Sequence, residues 1–334
     1  MALRHRGFID LPEHAKAGGF DHAAVHQLTG RIYVAHTAND AVDVIDIETR
    51  KYVTSIPGLS AVAGALVADD ADLVFTSNRG ENTIGVFTAA AAEGRLGFAG
   101  APRALGGVGG HLGAPHVEVE KIGVGVRPNG LAYDPGRARL LAAHVGDPAV
   151  AGSCTVSVVD VRAHKRIADV PVAGRTRWTV YDPIADAFHV NIANPPQIVV
   201  VDAGDPIGIR RVVPVSHAGP HGLDIDVARR RLFCACDAGV LLEIHADTGE
   251  VVATEPISGA PDVVFFNPAL DRLYVAIGDP GVIEVFDTAP LRRHETVATE
   301  AGAHTLSFDA ARNLVCAFLP ATHRAAVYED GGPR

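Results

Sequence analysis

Short apolar runs alternate with turns rich in Gly, Pro, Asn and Asp along the whole chain, and no window sustains a helical period. The runs come in sets. A small apolar strand leads through a tight turn to a second strand, then through a polar loop to a third strand that ends in an acid. The set reads FDHAAVHQLTGRIYVAHTANDAVDVIDIET near the N-terminus, PHGLDIDVARRRLFCACDAGVLLEIHADTG in the middle and APDVVFFNPALDRLYVAIGDPGVIEVFDT further on. Aligned on the residue before the first apolar run, seven copies start at His22, Ala63, Asn129, Arg177, His221, Asp262 and His304. The third strands align independently at Val44-Ile45-Asp46, Val158-Val159-Asp160, Val200-Val201-Asp202 and Val285-Phe286-Asp287.

Seven sets of three or four strands at a period of about 40–50 residues predict an all-β fold, a seven-bladed β-propeller. Each blade alone cannot bury both its faces, so residues 1–334 are expected to form one domain. The last copy runs out after three strands. An unassigned strand near Arg6 to Leu11 is therefore expected to complete blade seven as its outer strand and close the ring. The spacing of 66 residues between the anchors Ala63 and Asn129 marks an insertion in blade two, at about 89–115 and between its third and fourth strands. It reads as a flexible loop, with a lid or a partner-binding arm as the other readings.

In such a ring the loops that lead into the inner strands converge on one channel mouth, where propellers place ligands. The anchors form one ring of candidate positions. A second ring lies 14 or 15 residues further on, at His36, Ser77, His144, Asn191, Cys236, Ile277 and Phe318. With 16 histidines in 334 residues, fewer than one would fall among these 14 positions by chance, yet five do. His22, His221, Asp262 and His304 come from four consecutive blades and make a candidate divalent-metal set of imidazoles and one carboxylate. His36, His144 and Arg177 are candidate catalytic residues: the imidazoles titrate near neutral pH, and the guanidinium suits a carboxylate. Asn129, Arg177, Trp178 and Asn191 are candidate substrate contacts. Metal-free acid–base chemistry and a purely structural set of channel histidines are the alternatives. Trp178, the only tryptophan, either packs between blades or flanks an anion site with Arg177. The acids that close the third strands recur too regularly to be catalysts and read as turn residues.

The remaining features mostly exclude. A formal charge of −10 argues against a protein that grips nucleic acid or an anionic membrane. No apolar stretch is long enough to span a bilayer, and the N-terminus lacks a secretory segment, so a cytoplasmic location is expected. Four cysteines are too few for a disulfide scaffold; Cys234 and Cys236 share one face of a strand and read as small buried residues. There is no G-x-S-x-G elbow, H-E-x-x-H helix, phosphate loop or C-x-x-C-H haem site.

The strings Arg31-Ile32-Tyr33-Val34-Ala35, Arg272-Leu273-Tyr274-Val275-Ala276 and Thr76-Ser77-Asn78 with Asn82-Thr83-Ile84 resemble the YVTN/YncE-like seven-bladed propellers. The likeness covers nearly the whole chain outside the insertion and implies the fold. It implies no single function, because that group includes surface proteins, binding proteins and enzymes. A broader likeness is to propeller lactonases, streptogramin-type lyases and muconate-lactonising propellers. Some of those hold a metal at the channel mouth and others use histidine and arginine. The expected function is thus a metal-dependent hydrolase or lyase acting on a small carboxylated, lactone or ester-bearing molecule. The alternatives are a metal-free histidine/arginine catalyst of lactone or cycloisomerase type and a propeller that binds ligands or proteins without turnover.

Overall fold

The structure, a computed structural model, describes residues 3–92 and 117–331. Among these residues 28 strands form seven four-stranded antiparallel sheets. Their first strands are Ala23–His26, Val62–Ala68, Pro128–Asp134, Thr176–Asp182, Pro220–Asp226, Pro261–Asn267 and Thr305–Asp309. Each touches the first strand of the next blade, and the seventh touches the first, so the chain closes into a ring around a channel. This is the seven-bladed β-propeller that the repeat predicts.

Turn chemistry enforces the repeat. In every blade the residue just before the second strand has a left-handed backbone: Gly30, Asp72, Ala138, Asp186, Arg230, Asp271 and Asn313, with φ between 49° and 70°. That geometry tightens the first hairpin and fixes its register. Glycine, aspartate or asparagine fills five of the seven positions, the residue types that tolerate it best.

The apolar side chains collect into seven clusters, and each bridges two neighbouring blades. Tyr33 and Val44 of blade one pack with Val74 and Phe87 of blade two, and Tyr274 of blade six packs with Phe308 of blade seven. No blade owns a core, so burial is gained only by closing the ring. Closure uses the N-terminal strand as expected. Leu3–Asp10 pairs antiparallel with Arg324–Asp330 as the outer strand of blade seven, with Phe8 opposite Ala326 and a bulge between His5 and Gly7. Leu3 and Ile9 then enter the clusters on either side of that blade.

The blade-two insertion lies largely outside the described residues. The elements that flank it are the third and fourth strands of that blade, Thr83–Thr88 and Glu120–Gly123, with one helical turn, Ala89–Ala92, following the former. Cys234 and Cys236 do share a face; both are buried free thiols with sulfurs 4.0 Å apart. Among the described residues no helix is long and apolar enough to cross a membrane.

Candidate functional site

All seven anchors lie at the starts of the first strands and so at one mouth of the channel. Local backbone irregularity aims them. The pairing register shifts at the anchor in blades two to six, between Val62/Gly64, Pro128/Leu131, Thr176/Thr179, Pro220/Gly222 and Pro261/Val264. Such a bulge bends a strand and redirects a side chain. The prolines that open three of these strands fit there because a first position needs no ladder donor. In blades two, three and five a glycine follows the anchor. A Cβ on Gly64 would lie 2.5 Å from the carbonyl oxygen of Asn129, and one on Gly130 2.6 Å from that of Arg177; on Gly222 it would collide with that of Asp262. Each glycine therefore lets one anchor seat against the next.

Five of these anchors and two loop acids form one polar cluster. His221 Nδ1 lies 2.7 Å from Asp237 Oδ1, and its Nε2 lies 3.2 Å from Asp262 Oδ1 and 2.9 Å from Arg177 Nη1. Arg177 Nη2 also reaches Asp237 Oδ2 at 3.4 Å. His304 Nδ1 donates to the Gly302 carbonyl at 2.8 Å, which leaves Nε2 as the acceptor of the neutral ring, 3.8 Å from Asp262 Oδ2. His22 is buried behind them, its ring centroid 4.1 Å from that of Trp178 and its Nε2 3.4 Å from Asp21 Oδ1. Trp178, half-buried, also meets Phe265 of blade six edge-on at 6.3 Å, so the indole stands across the channel beneath the cluster. Arg79 joins Asp21 at 3.1 Å and donates to Asn129 Oδ1.

The electrostatics separate the two inner histidines. Burial disfavours charge on His221, but Asp262 and Asp237 outweigh it and raise its pKa to about 9. On His22 burial prevails over Asp21 and Asp262, and its pKa falls below the ordinary value. Burial would raise Asp262 too, but His221, His22 and His304 together hold it well below the usual carboxylate range. The arginines crowd one sector: Arg175 is depressed by burial and by Arg177, Arg79 and Arg127. A locally basic sector thus sits on a chain of net charge −10.

His221 can therefore exist in two bonded states. As an imidazolium it donates from Nδ1 to Asp237 and from Nε2 to Asp262. As a neutral ring it keeps the Nδ1 proton and accepts from Arg177 at Nε2. Both ring nitrogens are thus occupied, and a guanidinium stands where a cation would have to bind. Among the described residues no group of three or more His, Cys, Asp or Glu side chains is disposed to hold a metal ion. His22, His221, Asp262 and His304 share one neighbourhood, in which His221 is bonded at both ring nitrogens.

The second ring does not reach the mouth. All seven of its residues are buried in the blades. His36 bonds through Nδ1 to the buried Asp43 at 2.7 Å, and His144 through Nδ1 to Thr155 Oγ1 at 2.8 Å. Strand ends tuck against the neighbouring blade here rather than opening on the funnel, so the catalytic roles expected of His36 and His144 are corrected to interior ones. Asn191, expected to meet substrate, donates instead to the carbonyls of His221 and Gly222 at 3.0 and 3.2 Å. Ser77 does the same to Asn129 at 2.7 Å. These residues position the anchors of the adjoining blade. Asn129 is buried with its amide oxygen taken by Arg79. Sequence reasoning missed Asp21, Arg79, Arg175 and Asp237. All four stand within two residues of a ring position, and that adjacency was the available signal.

No family model matches the chain, and no curated protein matches it. Solved structures do. One, titled Kuenenia stuttgartiensis Hydrazine Synthase, superposes with a TM-score of 0.75 at 12% identity over 96% of this chain and 98% of that one. Another, from a Mitotic Checkpoint Complex, gives 0.73 at 11% identity over 97% and 91%. At that identity the likeness is one of architecture, and it agrees with the ring described above: the chain is a seven-bladed β-propeller.

Proposed function

We propose that the chain is a lyase for small carboxylated molecules, working by acid–base chemistry at the anchor mouth. The observation that carries this is His221, held between Asp237, Asp262 and Arg177 at the point where the inner strands converge. The arginine sector binds the substrate carboxylate. His304 is the base: its free Nε2 takes a proton from the carbon next to the carboxylate, and Asp262 steadies the imidazolium so formed. His221 is the acid. It gives its Nε2 proton to the departing β-oxygen as the C–O bond breaks and the C=C bond forms. Arg177 then donates to the vacated Nε2. Loss of a β-oxygen substituent and opening of a lactone ring are the same step on this scheme. The strings shared with YVTN/YncE-like propellers support placing the chain near that group.

The test is a panel of β-oxygenated carboxylates and lactones, followed by the absorbance of the new double bond. His221→Gln and His304→Gln should each lower kcat about 10²–10⁴-fold while the fold stays intact. In D2O, His221→Gln should still exchange the α-proton and His304→Gln should not. Loss of activity on chelation, restored by a divalent ion, would replace this reading with the metal-dependent one. An inert panel together with a stoichiometric protein partner would replace it with a binding module.

A further inference from the structure

Beneath Trp178 lies a cavity of about 600 Å³, roofed by His22 and Trp178 and walled by inner-strand side chains such as Leu66, Val180 and Phe265. It opens at the far mouth, where Asp69 and Asp70 stand in the first hairpin turn of blade two. Among the described residues one carboxyl group stands in its wall below the rim, that of Asp224 of blade five, beside the phenols of Tyr133 and Tyr181. The equivalent position, three residues after the anchor, is Val25, Leu66, Ala132, Val180, Phe265 or Ser307 in the other blades, so the repeat does not call for an acid.

Among the described residues Asp224 has no lysine or arginine partner. Oδ1 accepts from the backbone N–H of Ile225 at 2.8 Å and Oδ2 from that of Phe266 at 2.7 Å, and no lysine or arginine lines the cavity. Each oxygen keeps acceptor capacity toward the space. Burial, only partly offset by those two N–H groups, pushes this carboxyl up to about 6. A carboxylate left unpaired in an apolar wall is costly, and a bound cation would relieve that cost. The rim carboxylates of Asp69 and Asp70 add attraction for positive charge. The ring faces of Trp178 and Phe265 offer the same charge a second contact and offer an apolar body a surface.

We propose that this far-mouth cavity is a second ligand site, for a small molecule carrying a protonated amine on an aromatic or aliphatic body. The ammonium bonds Asp224 and the body packs beneath Trp178. The site is separate from the anchor mouth, and it stands whether or not the lyase reading does.

Trp178 is the only tryptophan, so its fluorescence reports on the partition between this cavity and the anchor cluster. Phenethylamine, its neutral isostere phenethyl alcohol and the anion phenylacetate would be titrated against the full chain. The amine should shift the emission with an affinity at least about tenfold above the alcohol, and the anion should not bind. Asp224→Asn should reduce the amine to the level of the alcohol, while His304→Gln at the opposite mouth should leave the preference unchanged. Leu66→Phe, which narrows the cavity without touching the acid, should weaken both probes. No response from any probe, equal affinity for amine and alcohol in the unaltered chain, or an amine preference that survives Asp224→Asn would overturn the proposal. Should Asp224→Asn fail to fold, the amine–alcohol comparison and Leu66→Phe still decide it.

Discussion

Histidines of the two rings diverge because their immediate neighbours differ. His144 is buried beside Thr155, and burial lowers its pKa to about 4; His221 stands between two carboxylates and rises to about 9. Their effects on stability have opposite signs. The unfolded chain protonates His144 near pH 6.5 while the native one does so only near 4, so its contribution is lost as pH falls through that window, by about 3 kcal/mol in all. The contribution of His221 is complete below 6.5 and is lost as pH rises toward 9. Thermal unfolding across pH should therefore peak near 6.5, and His221→Gln should remove the alkaline decline but not the acid one. The catalytic acid must also be protonated to act, so kcat should fall above pH about 9 under the lyase reading. Arg177→Lys keeps the charge but loses the fork that spans His221 and Asp237. It should lower kcat/KM by about 10–100-fold in steady-state assays. The acids ending the third strands act locally, as their repetition implies: Asp46 Oδ1 accepts the N–H groups of Glu48 and Thr49, and Asp160 accepts that of Ala163.

Within the strands, a few small residues decide where the functional ones go. Gly222 lies against the Asp262 carbonyl, so an added methyl must part blades five and six. Gly222→Ala should destabilise the fold by about 1–3 kcal/mol, read by denaturant unfolding. It should also loosen His221 and Asp262, seen as lost activity below the unfolding range. Strand order, hairpins and the outer closing strand were legible in the sequence because period-two alternation and turn residues are local signals. The burial of the second ring was not. Whether a strand end opens on a funnel or tucks beneath the next blade depends on how neighbouring blades pack, and residue spacing within one blade carries no record of that. Asn191 shows the consequence: the spacing puts it at the end of a second strand, and its partners are backbone carbonyls one blade away.

The whole molecule stands or falls by closure. Every apolar cluster spans a joint between blades, so opening one joint exposes apolar surface on both sides. Removing residues 3–10 should strip the outer strand from blade seven and bare the edge of Arg324–Asp330. The expected result is a lower melting temperature together with association on size exclusion. At the same scale the arginine sector opposes a net charge of −10, so under the lyase reading attraction of an anionic substrate is local. KM for a carboxylate should rise with ionic strength while kcat holds.

By itself the sequence determined the number of blades, the order of their strands, the closing strand and the ring of positions from which the polar cluster is drawn. All of these follow from hydrophobic period and turn chemistry, which act between near neighbours in the chain. Only the tertiary structure decided which of those positions meet. Arg177, His221, Asp237 and Asp262 touch because adjacent blades are turned about a common axis, and His36 and His144 are withdrawn by the same packing. Contact between blades depends on the angle and distance of closure, and those are set by all seven joints at once.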